Sequence, residues 1–406
     1  MIDRLKYKKI WQELSAEKSM VLLAGPRQAG KTTFSRAVAD DYASSLYFNW
    51  DIASHREKLI ANRTFFEEVE RRGGGNPLII LDEIHKYRDW KNYLKGVYDQ
   101  FHESYQFLVS GSGRLDIYQK GGDSLAGRYL LFHLWPMTLA ESVTDGSDFE
   151  QFIVDPLSVC MGSMPGLRAT WEQLTVTGGF PEPFIAGKQT AWRRWSNTYA
   201  QQLIREDIRE LTDIKSATAL ETLYQLLPGR VGSPLSTPAL SRDLQVAYNT
   251  VQGWLAILER FYMIFSITPW TFRIARAIQK ERKVYLFDTP RRTDQGARFE
   301  NMVAIELYRA VSNWNDMGYG NFSLHFIKNK EQQETDFLLA RDNEPFLLVE
   351  AKLSDIQPSA PLRKFQQMLG VPAVQLVNIG EGHRLFSNAD YRILVAPAWQ
   401  WLAALP

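Results

Sequence analysis

Eight consecutive residues constrain this chain more than any other feature. Gly25-Pro26-Arg27-Gln28-Ala29-Gly30-Lys31-Thr32 satisfies the spacing G-x-x-x-x-G-K-[ST]. The apolar run Val21-Leu22-Leu23 precedes it and a helical pattern follows, the strand–loop–helix order in which such a loop wraps phosphates. Gly25 and Gly30 let backbone N–H groups turn inward, and the helix opening at Lys31 adds its partial positive end. Pro26, Arg27, Gln28 and Ala29 are expected to complete the cradle. Lys31 is expected to reach the β- and γ-phosphates of ATP, and Thr32, followed by Thr33, to present a hydroxyl to Mg²⁺. A glycine turn that binds nothing is the alternative, and the flanking strand and helix argue against it.

Around this loop the pattern is that of βαβ units on a mainly parallel sheet. Short apolar runs at Met20–Leu23, Ser45–Phe48, Leu78–Leu81 and Phe107–Val109 are separated by helical stretches. The run Leu78–Leu81 delivers Asp82 and Glu83 at its carboxyl end. Asp82 is expected to hold the magnesium ion, and Glu83 to orient or deprotonate the attacking water. Ser110 and Ser112 end the next run, as contacts to the γ-phosphate or as a simple strand-end turn. Arg128, in Ser124-Leu125-Ala126-Gly127-Arg128, is a candidate to stabilise transition-state charge in cis or from a neighbouring subunit. A surface arginine in a loop is the competing reading.

Four stretches are expected: a P-loop domain at 1–140, a helical lid or linker at 141–230, a compact segment at 231–290 and a final α/β domain at 291–406. The lid pattern runs from Trp171 to Thr212, and Pro228-Gly229-Arg230-Val231-Gly232-Ser233-Pro234 marks a boundary. Thr237–Leu244 and Tyr248–Leu258 then read as two helices, the second opening on polar residues as a recognition helix does. Phe261–Ile267 and Val284–Phe287 read as strands. The ribbon joining them carries Arg273, Arg276, Lys280, Arg282 and Lys283 against Glu281. This is the pattern of a winged helix whose wing tracks DNA phosphates, although such modules also serve as protein contacts. Lysine plus arginine (47) nearly cancel aspartate plus glutamate (46), so any nucleic-acid surface must be a local patch.

The last stretch carries a third constellation. An amphipathic helix surrounds Glu300, and strands are expected at Gln333–Leu339 and Phe346–Lys352. Strand alternation puts Glu350 and Lys352 on one face. Asp336 and Glu350 on neighbouring strands are expected to ligate a second Mg²⁺ or Mn²⁺. Lys352 would steady the attacking water and Glu300 would orient it from the helix. A solvated strand with a Glu–Lys pair and a nuclease fold that has lost cleavage both stay open. The chain ends in an apolar tail, Trp399–Leu405.

Other classes are excluded or disfavoured. The single cysteine, Cys160, forms no internal disulfide and no Cys-clustered metal site, and a reducing, cytoplasmic setting is expected. His55, His85, His102, His133, His325 and His383 lack metal-ligand spacing. No apolar run approaches membrane-helix length, and Met1–Leu14 reads as an amphipathic helix, not a secretory leader.

Taken together, these residues make the chain resemble the prokaryotic AAA-type ATPases fused to a winged helix and a restriction-endonuclease-like C-terminal domain. The resemblance rests on Ala24–Gln28, Leu81-Asp82-Glu83-Ile84-His85, Ser110-Gly111-Ser112, Leu125–Arg128 and Trp135-Pro136-Met137-Thr138. Gly178-Gly179-Phe180-Pro181-Glu182, Glu334-Thr335-Asp336-Phe337 and Val349-Glu350-Ala351-Lys352 also match. It implies an α/β P-loop NTPase domain with a parallel sheet, a helical lid, a winged helix and a PD-(D/E)XK-like fold. The leading expectation is a Mg²⁺-dependent ATPase coupled to a DNA-directed, nuclease-like module. The alternatives are an ATP-switched DNA-binding or regulatory protein with an inactive nuclease-like domain, and an ATP-gated protein scaffold. Whether a homo-oligomer is the working form stays open with the role of Arg128.

Overall fold

The computed structural model describes residues 4–111, 125–142, 148–158, 165–208, 216–271, 282–380, 382–388 and 391–406. Ser112, Ser124, Cys160, Thr212, Arg273, Arg276, Lys280 and Glu281 lie outside the described residues. The chain divides into two compact units, Met1–Pro136 and Met137–Pro406.

Unit 1 is built on a parallel sheet of five strands: β1 (Met20–Ala24), β2 (Ser45–Asn49), β3 (Leu78–Asp82), β4 (Gln106–Ser110) and β5 (Leu130–His133), in the order β2-β3-β4-β1-β5. Every position of β1, β3 and β4 is buried, which is why these strands read as unbroken apolar runs rather than as alternation. Helices Leu5–Glu17, Lys31–Ala39, Ala53–Ala61 and Trp90–Phe101 join the unit. Phe65, Phe66, Trp90, Leu94 and Phe101 pack with Ile79, Leu81 and Val109 in its core. The register pairs Leu23 with Ser110, Ser110 with Asp82 and Asp82 with Asn49, so these strand ends fall in one row. β1 pairs β4 on one side and β5 on the other, so the loop leaving Ala24 sits at the switch point where open α/β sheets bind ligands.

Unit 2 begins with helices. The pattern read from Trp171 to Thr212 resolves into Leu167–Thr177, Pro181–Ala186 and Gln189–Gln202. Gly178, with φ +68°, ends the first, and Pro181 starts the second. Gly179 is required for a different reason: a Cβ there would lie 2.2 Å from the Met137 carbonyl oxygen. The Met137 N–H donates to the Gly179 carbonyl at 2.6 Å. Helices Ala217–Leu226, Thr237–Leu244 and Tyr248–Arg260 follow, then β6 (Ile264–Pro269) and β7 (Lys283–Leu286).

After helix Gln295–Asp316 come β8 (Phe322–Lys328), β9 (Glu334–Arg341), β10 (Glu344–Lys352), β11 (Ala373–Val377), β12 (Arg384–Ser387) and β13 (Arg392–Pro397). The sheet order is β12-β13-β11-β10-β9-β8-β6-β7. Its inclusion of β6 and β7 departs from the expected segment ending at residue 290. β6 pairs β8 through Thr268–His325 and Pro269–Phe326, so one sheet runs through that position. Likewise Pro228–Pro234, read as a boundary, forms a 3₁₀ turn at Leu227–Arg230, and Pro234 bridges Lys283 of β7. The Asp294 side chain caps helix Gln295–Asp316, accepting from the Ala297 N–H at 2.9 Å. Helix Ala360–Leu369 packs Leu362 and Phe365 on Ile327, Leu338 and Leu348. The apolar tail is a buried helix, Ala398–Ala403. Among the described residues no helix is long and apolar enough to cross a membrane.

Candidate nucleotide site and carboxylate cluster

The loop Gly25–Thr32 takes its shape from two glycines with positive φ, Gly25 (+134°) and Gly30 (+97°), the latter preceding helix Lys31–Ala39. Gly25 is also pressed on its neighbour: a Cβ there would lie 2.3 Å from the Leu134 carbonyl oxygen. Among the described residues of unit 1, Gln28 (φ 61°) and Glu83 (φ 56°) are the non-glycine residues in the left-handed region, and both belong to this site. Lys31 is buried, and its Nζ donates to the carbonyls of Gly25 (2.9 Å) and Pro26 (2.7 Å). Ala29 is buried, Arg27 half-buried, and Gln28 and Thr33 exposed. Arg4, which sequence reasoning missed, holds the back of the loop by donating to the carbonyls of Ala29 (3.2 Å) and Trp135 (2.6 Å).

The acidic strand tip meets this loop directly. The Thr32 hydroxyl donates to the Asp82 carboxylate at 2.7 Å, and the Tyr47 hydroxyl donates to the same oxygen at 2.7 Å. Ser110 donates to the other Asp82 oxygen, and the amide of Asn49 approaches at 3.4 Å. The Ser110 hydroxyl thus touches Asp82. Tyr47 and Asn49 were not read from the sequence, because only the register of β2 against β3 brings them to Asp82.

Glu83 follows with its N–H bonded to the Ser110 carbonyl at 2.9 Å. Its carboxylate lies 3.3 Å from Lys86 Nζ, which also binds Asp51 at 2.7 Å, and 3.7 Å from His85 Nε2. Burial raises the Glu83 pKa, while Lys86 and Lys31 pull it down. A carboxyl tuned upward beside a phosphate loop is the state a general base needs.

Arg128 lies elsewhere. It precedes β5, whose pairing of Leu130 with Val21 and His133 with Ala24 puts it at the amino end of the strands, opposite the loop. There it forms a two-pronged pair with Asp99, 2.6 and 3.1 Å, and the neighbouring Gly127 carbonyl accepts from Lys18 at 2.8 Å.

In unit 2 the structure brings Glu300, Asp336, Glu350 and Lys352 into one neighbourhood. Asp336 and Glu350 lie one step beyond the paired residues Phe337 and Val349. Each side chain accepts from the opposite strand: Asp336 from the Ala351 N–H (2.9 Å), Glu350 from the Asp336 N–H (3.3 Å). Lys352 Nζ is 2.6 Å from Glu350, as strand alternation predicts. Sequence reasoning missed Glu334 and Tyr285, and it placed Lys283 wrongly. Lys283 is fully buried, with its Nζ 2.5 Å from Glu334, 3.2 Å from Glu300 and 3.8 Å from Asp336. It cannot track DNA phosphates. Arg282, also assigned to the ribbon, lies 3.6 Å from Glu259.

Burial, then Asp336, pushes Glu300 up to about 7 against Lys283 and Tyr285, and pushes Glu350 up to about 8 against Lys352. An acid whose pKa is raised in the folded state favours folding while protonated. That contribution is complete below the ordinary value of 4.5 and is lost as pH rises through about 7 to 8. Glu350→Gln should therefore gain thermal stability relative to wild type as pH is raised from about 5 to about 9. Parallel melting profiles across that range would contradict this.

Residues 17–143 match the family model described as AAA domain, a span containing the phosphate loop, Asp82, Glu83 and Arg128. Over this span the chain is similar to AAA-type P-loop ATPase domains. Residues 168–290 match a domain of unknown function (DUF8612). An uncharacterized protein of Mycobacterium tuberculosis is 25% identical over 270 residues, covering 66% of this chain and 54% of its own. The chain thus spans about half the length of that curated relative. An uncharacterized protein of Methanocaldococcus jannaschii is 24% identical over 333 residues, covering 72% and 68%. Among solved structures, the Walker-type ATPase of Pyrococcus abyssi is similar at 15% identity and TM-score 0.45, over 72% of this chain and 95% of that one.

Proposed function

We propose that this protein is a magnesium-dependent ATPase that couples its nucleotide state to a DNA-directed, nuclease-like module in unit 2. The observation that carries the reading is the 2.7 Å contact of the Thr32 hydroxyl with Asp82, which joins the phosphate loop to the acidic strand tip. A hydroxyl and a buried carboxylate at that point fit Mg²⁺, which Thr32 and Asp82 would hold and which would neutralise charge on the β- and γ-phosphates. Backbone N–H groups of Gly25–Thr32 hold the phosphates, and Lys31 exchanges its bonds to the Gly25 and Pro26 carbonyls for phosphate oxygens. Glu83 accepts the proton of the attacking water. Arg128, given its place at the far end of the strands, acts only on a neighbouring copy if it acts in catalysis.

For unit 2, the order helix, bridge at Pro234, two helices and two strands fits a winged helix. Tyr248, Asn249, Gly253 and Arg260 are exposed on its second long helix, a face open to a nucleic-acid groove. The restriction-endonuclease-like reading of the following segment is supported by the grouping of Glu300, Asp336, Glu350 and Lys352. Retention of fluorescent duplex and single-stranded DNA, with and without ATP, tests the coupling. The reading expects salt-sensitive binding whose strength changes with nucleotide and loses that change in Lys31→Ala. Absence of DNA binding at low salt would favour an ATP-gated protein scaffold. The burial of Lys283 among the carboxylates favours a second reading, in which the nuclease-like segment regulates without cleaving.

A further inference from the structure

Lys283 begins β7, is fully buried, and carries its ammonium beneath the ring of Phe326, 5.5 Å from the centroid. A lysine has three N–H donors and no acceptor. Here they face Glu334 at 2.5 Å, Glu300 at 3.2 Å and Asp336 at 3.8 Å. Two positions along the strand, and so on the same face of β7, Tyr285 donates its hydroxyl to the same Glu300 oxygen at 2.8 Å. Lys352 pairs separately with Glu350 at 2.6 Å. A buried ammonium is tolerated only where carboxylates surround it, and buried carboxylates only where a cation does.

The family resemblance implies a divalent ion on Asp336 and Glu350. Such an ion needs several oxygens converging at about 2.0–2.6 Å. Among the described residues no group of three or more His, Cys, Asp or Glu side chains is arranged that way. What faces Asp336 on its Glu300 side is a cation already in place, tied into the chain and shut off from water. A divalent ion there would meet that charge at close range in a poorly screened interior. The residues as arranged do not fit a resident metal.

We propose that the ammonium of Lys283 is the permanent cation of this notch, occupying the side of Asp336 that faces Glu300 in place of the metal the resemblance implies, so that unit 2 performs no metal-dependent phosphodiester cleavage. The claim goes beyond the ATPase reading and stands independently of it.

The test is Mn²⁺ titration of the full chain without nucleotide, following free Mn²⁺ by electron paramagnetic resonance. Wild type is expected to take up no Mn²⁺, and Lys283→Gln to gain one site that is lost again in Lys283→Gln/Asp336→Asn. Uptake by wild type that Asp336→Asn removes would overturn the proposal. So would a folded Lys283→Gln that takes up none. If Lys283→Gln fails to fold, wild type still decides through a plasmid assay with Mg²⁺ or Mn²⁺. Intact plasmid supports the proposal, and nicking abolished by Asp336→Asn refutes it.

Discussion

Glu83→Gln is expected to lower ATP turnover by about two to three orders of magnitude while leaving ATP affinity within a few-fold of wild type. Glu83 follows Asp82 at the tip of β3 in a left-handed conformation, with its N–H fixed to the Ser110 carbonyl at 2.9 Å. Its carboxylate thus stands beside the phosphate loop but outside the Asp82 network of Thr32, Tyr47 and Ser110. Glutamine keeps the shape and one oxygen that accepts from Lys86, but it takes up no proton from water. Binding should survive because Lys31 and the loop amides hold the phosphates. Single-turnover phosphate release, paired with equilibrium nucleotide binding, separates the two effects. Equal turnover in the variant would remove Glu83 from the chemistry, whereas equal loss of binding and turnover would make it structural.

Gly25→Ala should cost unit 1 on the order of 3 kcal/mol and at the same time abolish nucleotide affinity. Two separate strains add. A φ of +134° is open to glycine and closed to alanine, and the new methyl would sit 2.3 Å from the Leu134 carbonyl oxygen. Leu134 cannot retreat freely, because its N–H is bonded to the Ala24 carbonyl at 2.9 Å. The carbonyl of Gly25 is also one of the acceptors holding Lys31, so any relief of the clash moves the lysine. At this unit size the cost corresponds to a drop in melting temperature of roughly 10 °C, readable by calorimetry. A variant that melts with wild type and still binds ATP would mean that the close approach at Leu134 is not a constraint on the loop.

What could be read from the chain depended on how local the chemistry was. The phosphate loop is contiguous, and a buried parallel strand announces itself as an apolar run, so Gly25–Thr32 and Asp82–Glu83 were legible. Arg4, Tyr47 and Asn49 were not, because they reach the site through the register of β2 and the return of the chain at Trp135. The instructive case is Lys283. In a run containing Arg273, Arg276, Lys280 and Arg282 it looks like one more solvated cation. Only the pairing of β6 with β8 carries it into the interior. One signal was present: Lys283 and Tyr285 alternate along a strand otherwise made of Val284 and Leu286, which pairs two polar groups on one face of an apolar segment. Glu350 and Lys352 share a face because strand alternation is local, whereas the meeting of Asp336 and Glu350 depends on the register of β9 against β10. The buried cation beside Asp336 comes from Lys283, some fifty positions earlier in the chain, and no short motif carries that.

Titrating ATP into the folded wild-type chain in magnesium buffer, followed by calorimetry, asks whether Gly25–Thr32 holds a triphosphate against Asp82. Saturable uptake of one ATP per chain is expected, lost in Lys31→Ala. No heat of binding with wild type, or uptake of equal affinity in Lys31→Ala, would contradict it.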